Sequence, residues 1–259
     1  MSNADNVIIR NLTFVDAADC FPAWDPTDGT NGEWNSAYDN LSVTGSTHVW
    51  VDHNTFTDGD NPDSGQPAYF GRPYQVHDGE LDITAGSSLL TVSWNRFTDH
   101  DKTMLIGSTN NPATDRGRLD VTVHHNLYEG TQQRLPRVRF GRVHVYNNHY
   151  RLPAGLSYAL GVGVESRIVA DRNVFEAEPG VEPGELLYDW GGTAVTARGN
   201  LWREGRRLVP VDLVAAYNAT HDPDLGTDVG WEPSLHGRID PAHRVPWVVD
   251  RHAGAGRVG

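Results

Sequence analysis

Residues 121–128 read VTVHHNLY, residues 143–150 read VHVYNNHY and residues 167–175 read RIVADRNVF. In each stretch β-branched residues alternate, and then come an asparagine, one further residue and a large apolar ring. Alternation with period two is the pattern of a strand. The same phrase stands at VWVDHNTF, ending at Phe56, at LLTVSWNRF, ending at Phe97, and at AVTARGNLW, ending at Trp202. NVIIRNLTF, residues 6–14, is a looser relative. The asparagines Asn54, Asn95, Asn126, Asn148, Asn173 and Asn200 follow one another at intervals of 41, 31, 22, 25 and 27. The last three intervals suit one coil of a parallel β-helix, and the first two suit coils carrying inserted loops.

The repeated phrase has a physical reading. Asparagine tolerates the left-handed backbone of a sharp turn. Stacked from coil to coil, its side chain also supplies hydrogen bonds between coils. The ring two residues later is expected to point inward and stack on its counterparts. The alternative is an antiparallel sandwich, disfavoured by the regular phrase and the scarcity of two-residue hairpin turns. Long helical patterns are absent. The fold class is therefore all-β, a parallel β-helix. One domain is expected over residues 1–259, with coils at about 6–208 and a covering segment at about 209–259. Residues 57–82 and 98–118 are the inserted loops, and function in a solenoid sits on such insertions.

Composition narrows the partners. With 34 Asp and Glu against 21 Lys and Arg, the net charge is −13. Such a chain repels nucleic acid and anionic membrane at long range. No stretch approaches the ~20 apolar residues of a membrane helix, and the opening MSNADNVIIRN lacks the pattern of a signal peptide. Cys20 is the only cysteine, which excludes an internal disulfide and is expected to be a buried small hydrophobe.

Two groups of charges stand apart. HDGELD places Asp78 and Asp82 four residues apart beside a glycine, and Asp39 heads another strand in WNSAYDN. Strand starts on adjacent coils lie ~4.8 Å apart, so such carboxylates can converge on a hard cation such as calcium. Solvated surface carboxylates read the same way, and the spacing is not that of an EF-hand. The cations are Lys102 in DHDKT and Arg134, Arg137 and Arg139 in RLPRVR. Arg137 and Arg139 share a strand face. Arg134 has the opposite parity, and a break at Pro136 would bring it round. A group of planar guanidiniums suits carboxylate recognition, although surface decoration is the plainer alternative.

Taken together, WNSAYDN, VWVDHNTFTDG, YFGRPYQVHDGELD, VSWNRFTDHDKTMLIGS and RLPRVRFGRVHVYNN resemble the bacterial pectate lyases of the parallel β-helix class, which implies a single-stranded right-handed parallel β-helix. The resemblance implies calcium as cofactor, held by Asp39, Asp78 and Asp82. It implies Arg134 as the catalytic base, with Lys102, Arg139 and, more weakly, Arg137 binding substrate. The implied reaction is β-elimination on α-1,4-polygalacturonate, giving 4,5-unsaturated oligogalacturonides. Like-charged neighbours favour a neutral guanidine, so the resemblance carries the expectation of an alkaline rate optimum. A pectin lyase acting on methyl ester, or a non-catalytic β-helix binding wall polysaccharide, are the competing readings.

There are departures from the family pattern. Some relatives carry an acidic ligand where this chain has Ala37. Family members also have a capping helix and further coils before the NVIIRN strand. Their lack here carries the expectation of a monomer with an exposed end prone to self-association. Secretion is implied by the polymeric substrate.

Overall fold

The computed structural model describes residues 1–258. Three parallel sheets run along a common axis, and the chain visits them in turn, so each strand pairs with its equivalent one coil away. The first sheet has the order Leu41–Thr44, Leu81–Thr84, Met104–Ile106, Arg137–Val138, Leu160–Gly163 and Leu187–Trp190. The second sheet has seven strands, from Asp5–Arg10 to Val195–Arg198. The third begins at Thr13–Val15 and ends at Leu201–Glu204, to which Arg207–Pro210 adds in antiparallel sense. This is a parallel β-helix.

The repeated phrase explains its own register. Val51, Val92, Val123, Val145 and Ala170 stand beside one another along the second sheet. All are buried, because alternate residues face the interior. At the corner that follows, the six asparagines form a ladder. Each donates from Nδ2 to the next asparagine's Oδ1 at 3.0–3.1 Å, from Asn54 through to Asn200. Each Oδ1 also accepts the backbone N–H of the asparagine before it. Buried amides are stable only when so satisfied.

The rings stack as expected. Phe14, Phe56, Phe97, Tyr128, Tyr150 and Phe175 form one column with centroid spacings of 4.6–5.0 Å. Near-parallel stacking of this kind adds about 0.5–1.5 kcal/mol per pair to the burial of each ring.

Two expectations are corrected. The left-handed residue of each corner is not the asparagine but the residue before it: His53, Trp94, His125, Asn147, Arg172 and Gly199, with φ of 50–62°. The asparagine must keep its side chain inside the ladder, so the turn falls one residue earlier. The looser phrase obeys the same rule, since Asn11 takes φ 60° and Leu12 occupies the ladder position, its N–H bonded to Asn54 Oδ1 at 3.0 Å. Cys20 is exposed, not buried. It lies in an excursion from the coils at residues 16–40, beside Phe21, and no core-facing strand position reaches it.

That excursion carries an antiparallel hairpin of Ala23–Asp25 with Glu33–Asn35. The 57–82 insertion carries a second, Ala68–Tyr69 with Arg72–Pro73. Trp34 joins them, donating its indole N–H to the Tyr69 carbonyl at 3.1 Å and stacking on Phe70 at 5.6 Å. Towards the other end, the helix Leu213–Asn218 buries Leu213, Val214 and Tyr217 against the main core. The helix Val245–His252 places Val245 and Val249 against Leu127 and Val174 of the third sheet.

Candidate active site

The predicted site residues gather on the outer face of the first sheet and on the loops above it. Asp82 lies within Leu81–Thr84, and Asp39 ends the loop that enters Leu41–Thr44 on the neighbouring coil. Gly79 sits between their carboxylates. A Cβ on Gly79 would stand 2.4 Å from Asp82 Oδ1 and 3.0 Å from Asp39 Oδ1. Both oxygens thus crowd the space that a side chain at Gly79 would need. The Gly79 N–H donates to Asp39 Oδ1 at 2.9 Å, and the Leu105 N–H donates to Asp82 Oδ1 at 3.1 Å. Ser42 Oγ donates to Asp39 Oδ2.

Asp78 is set differently. Its carboxylate is 3.8 Å from Lys102 Nζ. No three His, Cys, Asp or Glu side chains among the described residues converge into a closed metal cage. The structure therefore brings Asp39 and Asp82 together and leaves Asp78 at the edge beside the lysine. Burial, reinforced by Asp39, pushes the Asp82 carboxyl up to about 8. Burial also raises Asp78, with Lys102 opposing the rise.

Beneath this group lies a layer that the sequence did not signal. His100 is buried and bridges Asp58 Oδ1 at 2.8 Å and the Asp78 backbone carbonyl at 2.7 Å. Fully buried Glu80 is raised by desolvation to about 8, with His100 opposing. The imidazole so fixes the backbone that carries Asp78.

The cations follow on the next coils. Lys102 is largely buried and donates to Asn35 Oδ1 at 3.4 Å, so the first hairpin reaches directly into the site. Arg137 lies in the strand Arg137–Val138, and Arg139 follows it. Arg134 takes a left-handed φ of 60°, which breaks the strand alternation and removes the parity conflict. Arg139 is tied by Nε to Asn110 Oδ1 and by Nη1 to the Gly107 carbonyl, both at 2.9 Å. Arg137 stacks its guanidinium over the Trp190 ring at 3.9 Å.

None of the three arginines makes an ion pair among the described residues, whereas Arg72, Arg96, Arg142, Arg151, Arg198 and Arg203 all do. Burial and the neighbouring Arg139 push Arg137 down to about 10, and burial with Arg134 lowers Arg139. Tyr158, buried close by, was not foreseen; desolvation raises its hydroxyl while Arg134 and Arg137 oppose. It lies outside the repeated phrase, and no spacing pointed to it.

The arrangement is thus a row of unpaired guanidiniums beside crowded carboxylates. It is complementary to a polyanion arriving with a divalent cation. A cavity of about 530 Å³ lies elsewhere, between the second sheet and residues 231–237, and holds none of these side chains.

Comparison with known proteins bears on this arrangement. A family model described as pectate lyase matches residues 1–189. A pectate lyase of Bacillus subtilis is 46% identical over 98% of this chain and 60% of its own length. A pectate trisaccharide-lyase of Thermotoga maritima is 31% identical over 100% of this chain and 67% of its own. Among solved structures, a thermostable pectate lyase superposes with a TM-score of 0.97 at 46% identity, covering 100% of this chain and 64% of that one. A pectate lyase bound to a hexasaccharide gives 0.92 at 45% identity, covering 99% and 63%. The chain thus spans about three fifths of the Bacillus subtilis relative.

Proposed function

The chain belongs to the pectate lyase family, and from that premise we propose that it cleaves polygalacturonate by calcium-assisted β-elimination. The observation that carries this reading is the set of three half-buried arginines, Arg134, Arg137 and Arg139, without ionic partners among the described residues, in a chain of net charge −13. Burying cations unpaired is costly, and a polymer bearing one carboxylate per sugar supplies the missing charges. The hexasaccharide held by a structural neighbour is consistent with that class of ligand.

The residues fit calcium. Asp39 and Asp82 bring carboxylate oxygens close together beside Gly79, and their mutual repulsion is relieved by a hard cation with oxygen preference. Asp39 and Asp82 would hold it, with Asp78 completing the set from the edge and substrate oxygens filling the remaining positions. When bound, calcium withdraws charge from the substrate carboxylate and so acidifies the hydrogen on the adjacent carbon.

The side chains then have distinct tasks. Lys102, steadied by Asn35, neutralises the carboxylate of the sugar that reacts. Arg139, fixed by Asn110 and Gly107, presents its remaining donors to the same unit and favours the charge that develops there. Arg134, acting as the neutral guanidine, takes the proton from C5 and becomes the guanidinium. The electron pair forms the C4–C5 double bond, the C4–O bond to the next sugar breaks, and the leaving oxygen takes a proton from solvent. Arg137 contributes binding. The substrate is a wall polymer, which places the activity outside the cell.

Replacement of Arg134 tests the assignment. Arg134→Ala is expected to abolish formation of the unsaturated product while oligogalacturonide binding persists. An Arg134→Ala variant with wild-type turnover would remove that residue from the chemistry.

A further inference from the structure

The first sheet continues past the arginines. Arg137 stands beside Gly161 of the next strand, and Gly161 stands beside Tyr188 of the one after. Gly163 likewise stands beside Trp190. Paired positions in a parallel sheet share a face, so Tyr188 and Trp190 lie on the face of the proposed site.

Both intervening positions on that face are glycine, and contact explains why. A Cβ on Gly161 would stand 2.8 Å from Arg137 Cγ, and one on Gly163 would stand 2.9 Å from Arg139 Cγ and 2.3 Å from the Val138 carbonyl oxygen. The missing side chains let Trp190 reach back over Arg137. The guanidinium lies 3.9 Å from its ring centroid, although two sheet spacings put the strands about 10 Å apart. Tyr188 packs on Trp190 at 4.8 Å, and buried Tyr158 supports Tyr188 at 5.6 Å. Tyr188 and Trp190 nevertheless remain 41% and 37% exposed. Two large rings are therefore locked in orientation and left facing water, which is the composition of a binding surface and not of a core.

A galacturonate unit matches this surface. It presents a flat C–H face to an aromatic ring and a carboxylate at its edge, and the Arg137 guanidinium beside Trp190 makes no ion pair among the described residues. We propose that Trp190 and Tyr188, braced by Arg137, form a sugar-stacking subsite two strands beyond the arginine row, which selects long uronate chains over short ones. This rests on the pectate-cleaving reading of the site. The subsite holds a unit remote from the bond that breaks, so its binding energy appears only with substrates long enough to reach it.

The test compares hexagalacturonate with trigalacturonate as substrates for the wild type, Trp190→Ala, Trp190→Phe and Tyr188→Ala, each first checked for a cooperative thermal transition. Trp190→Ala is expected to lower the hexamer-to-trimer ratio of kcat/KM by about tenfold, the scale of a truncated aromatic anchor. Trp190→Phe recovers most of the ratio, and Tyr188→Ala lowers it by a smaller factor. An unchanged ratio in Trp190→Ala and Tyr188→Ala overturns the inference while leaving the lyase reading intact. If the wild type cleaves neither oligomer, the lyase reading falls by itself. The subsite is then decided by equilibrium titration with hexagalacturonate and calcium: weaker binding by Trp190→Ala supports it, and equal binding rejects it.

Discussion

Placing a methyl group on Gly79 is the sharpest perturbation of the proposed calcium position. The new Cβ would lie 2.4 Å from Asp82 Oδ1. Ordinary contact begins near 3.4 Å, so the oxygen must retreat by about 1 Å. Calcium accepts oxygens only over ~2.3–2.6 Å, and a shift of that size takes Asp82 out of a shared site with Asp39. Retreat also strains the 3.1 Å hydrogen bond from the Leu105 N–H, and buried Asp82 has little room to find another. Changes to groups that only support a metal ligand cost 10–100-fold in affinity, so displacing a ligand belongs at the upper end. Gly79→Ala is therefore expected to weaken calcium about a hundredfold, or about 2.8 kcal/mol. Calorimetric titration of calcium into both proteins measures it, with Gly65→Ala as the control, since a Cβ there meets nothing within 4 Å. Wild-type calcium affinity in a folded Gly79→Ala protein would refute the placement of the ion.

Three further outcomes follow from the same geometry. Arg139→Ala is expected to lower kcat/KM on polygalacturonate about a hundredfold, in line with losing one partner of a buried charge contact; a loss under about threefold would take Arg139 out of the site. Asn126→Ala deprives the Asn95 N–H and amide, the Asn148 side-chain oxygen and the Val92 carbonyl of a partner. It should cost roughly 3–5 kcal/mol in urea unfolding, and a cost under about 1 kcal/mol would show that the ladder is not a stabilising element. His149 joins Asp250 of the helix Val245–His252 at 2.7 Å and Glu176 at 3.1 Å. Burial pulls the His149 pKa down, but those carboxylates outweigh it and leave it raised. Its contribution is then fully present below about pH 6.5 and is lost as pH rises through the higher folded value. The melting temperature of the wild type should therefore decline on the alkaline side more steeply than that of Asp250→Asn, and parallel pH profiles would contradict the assignment.

The parts of this molecule that were legible in its sequence are those repeated at every coil. Asn126 and Tyr128 announce their environment because the same two residue types recur where backbone geometry recurs. The left-handed corner position is not legible because its residue type varies from coil to coil, from Gly199 and Asn147 to Trp94 and Arg172, and its conformation is imposed by the ladder that follows. Cys20 was misjudged because its preference for the interior presumes a core within reach, and the excursion holding it is built from exposed hairpin ends. The charged motifs lie together on one face of the helix. They did not reveal that Asp78 pairs with Lys102 while Asp39 and Asp82 face each other across Gly79. Asn35, His100, Tyr158 and Trp190 were invisible because each acts through a partner brought close only by coil stacking, at sequence separations no local pattern spans.

The most direct measurement is ultraviolet absorbance of the 4,5-unsaturated product when this chain is mixed with de-esterified polygalacturonate. The account predicts steady product formation with calcium, none in excess chelator, and full recovery when calcium is restored. Product formation undiminished by thorough chelation, or none at all with calcium present, would contradict it.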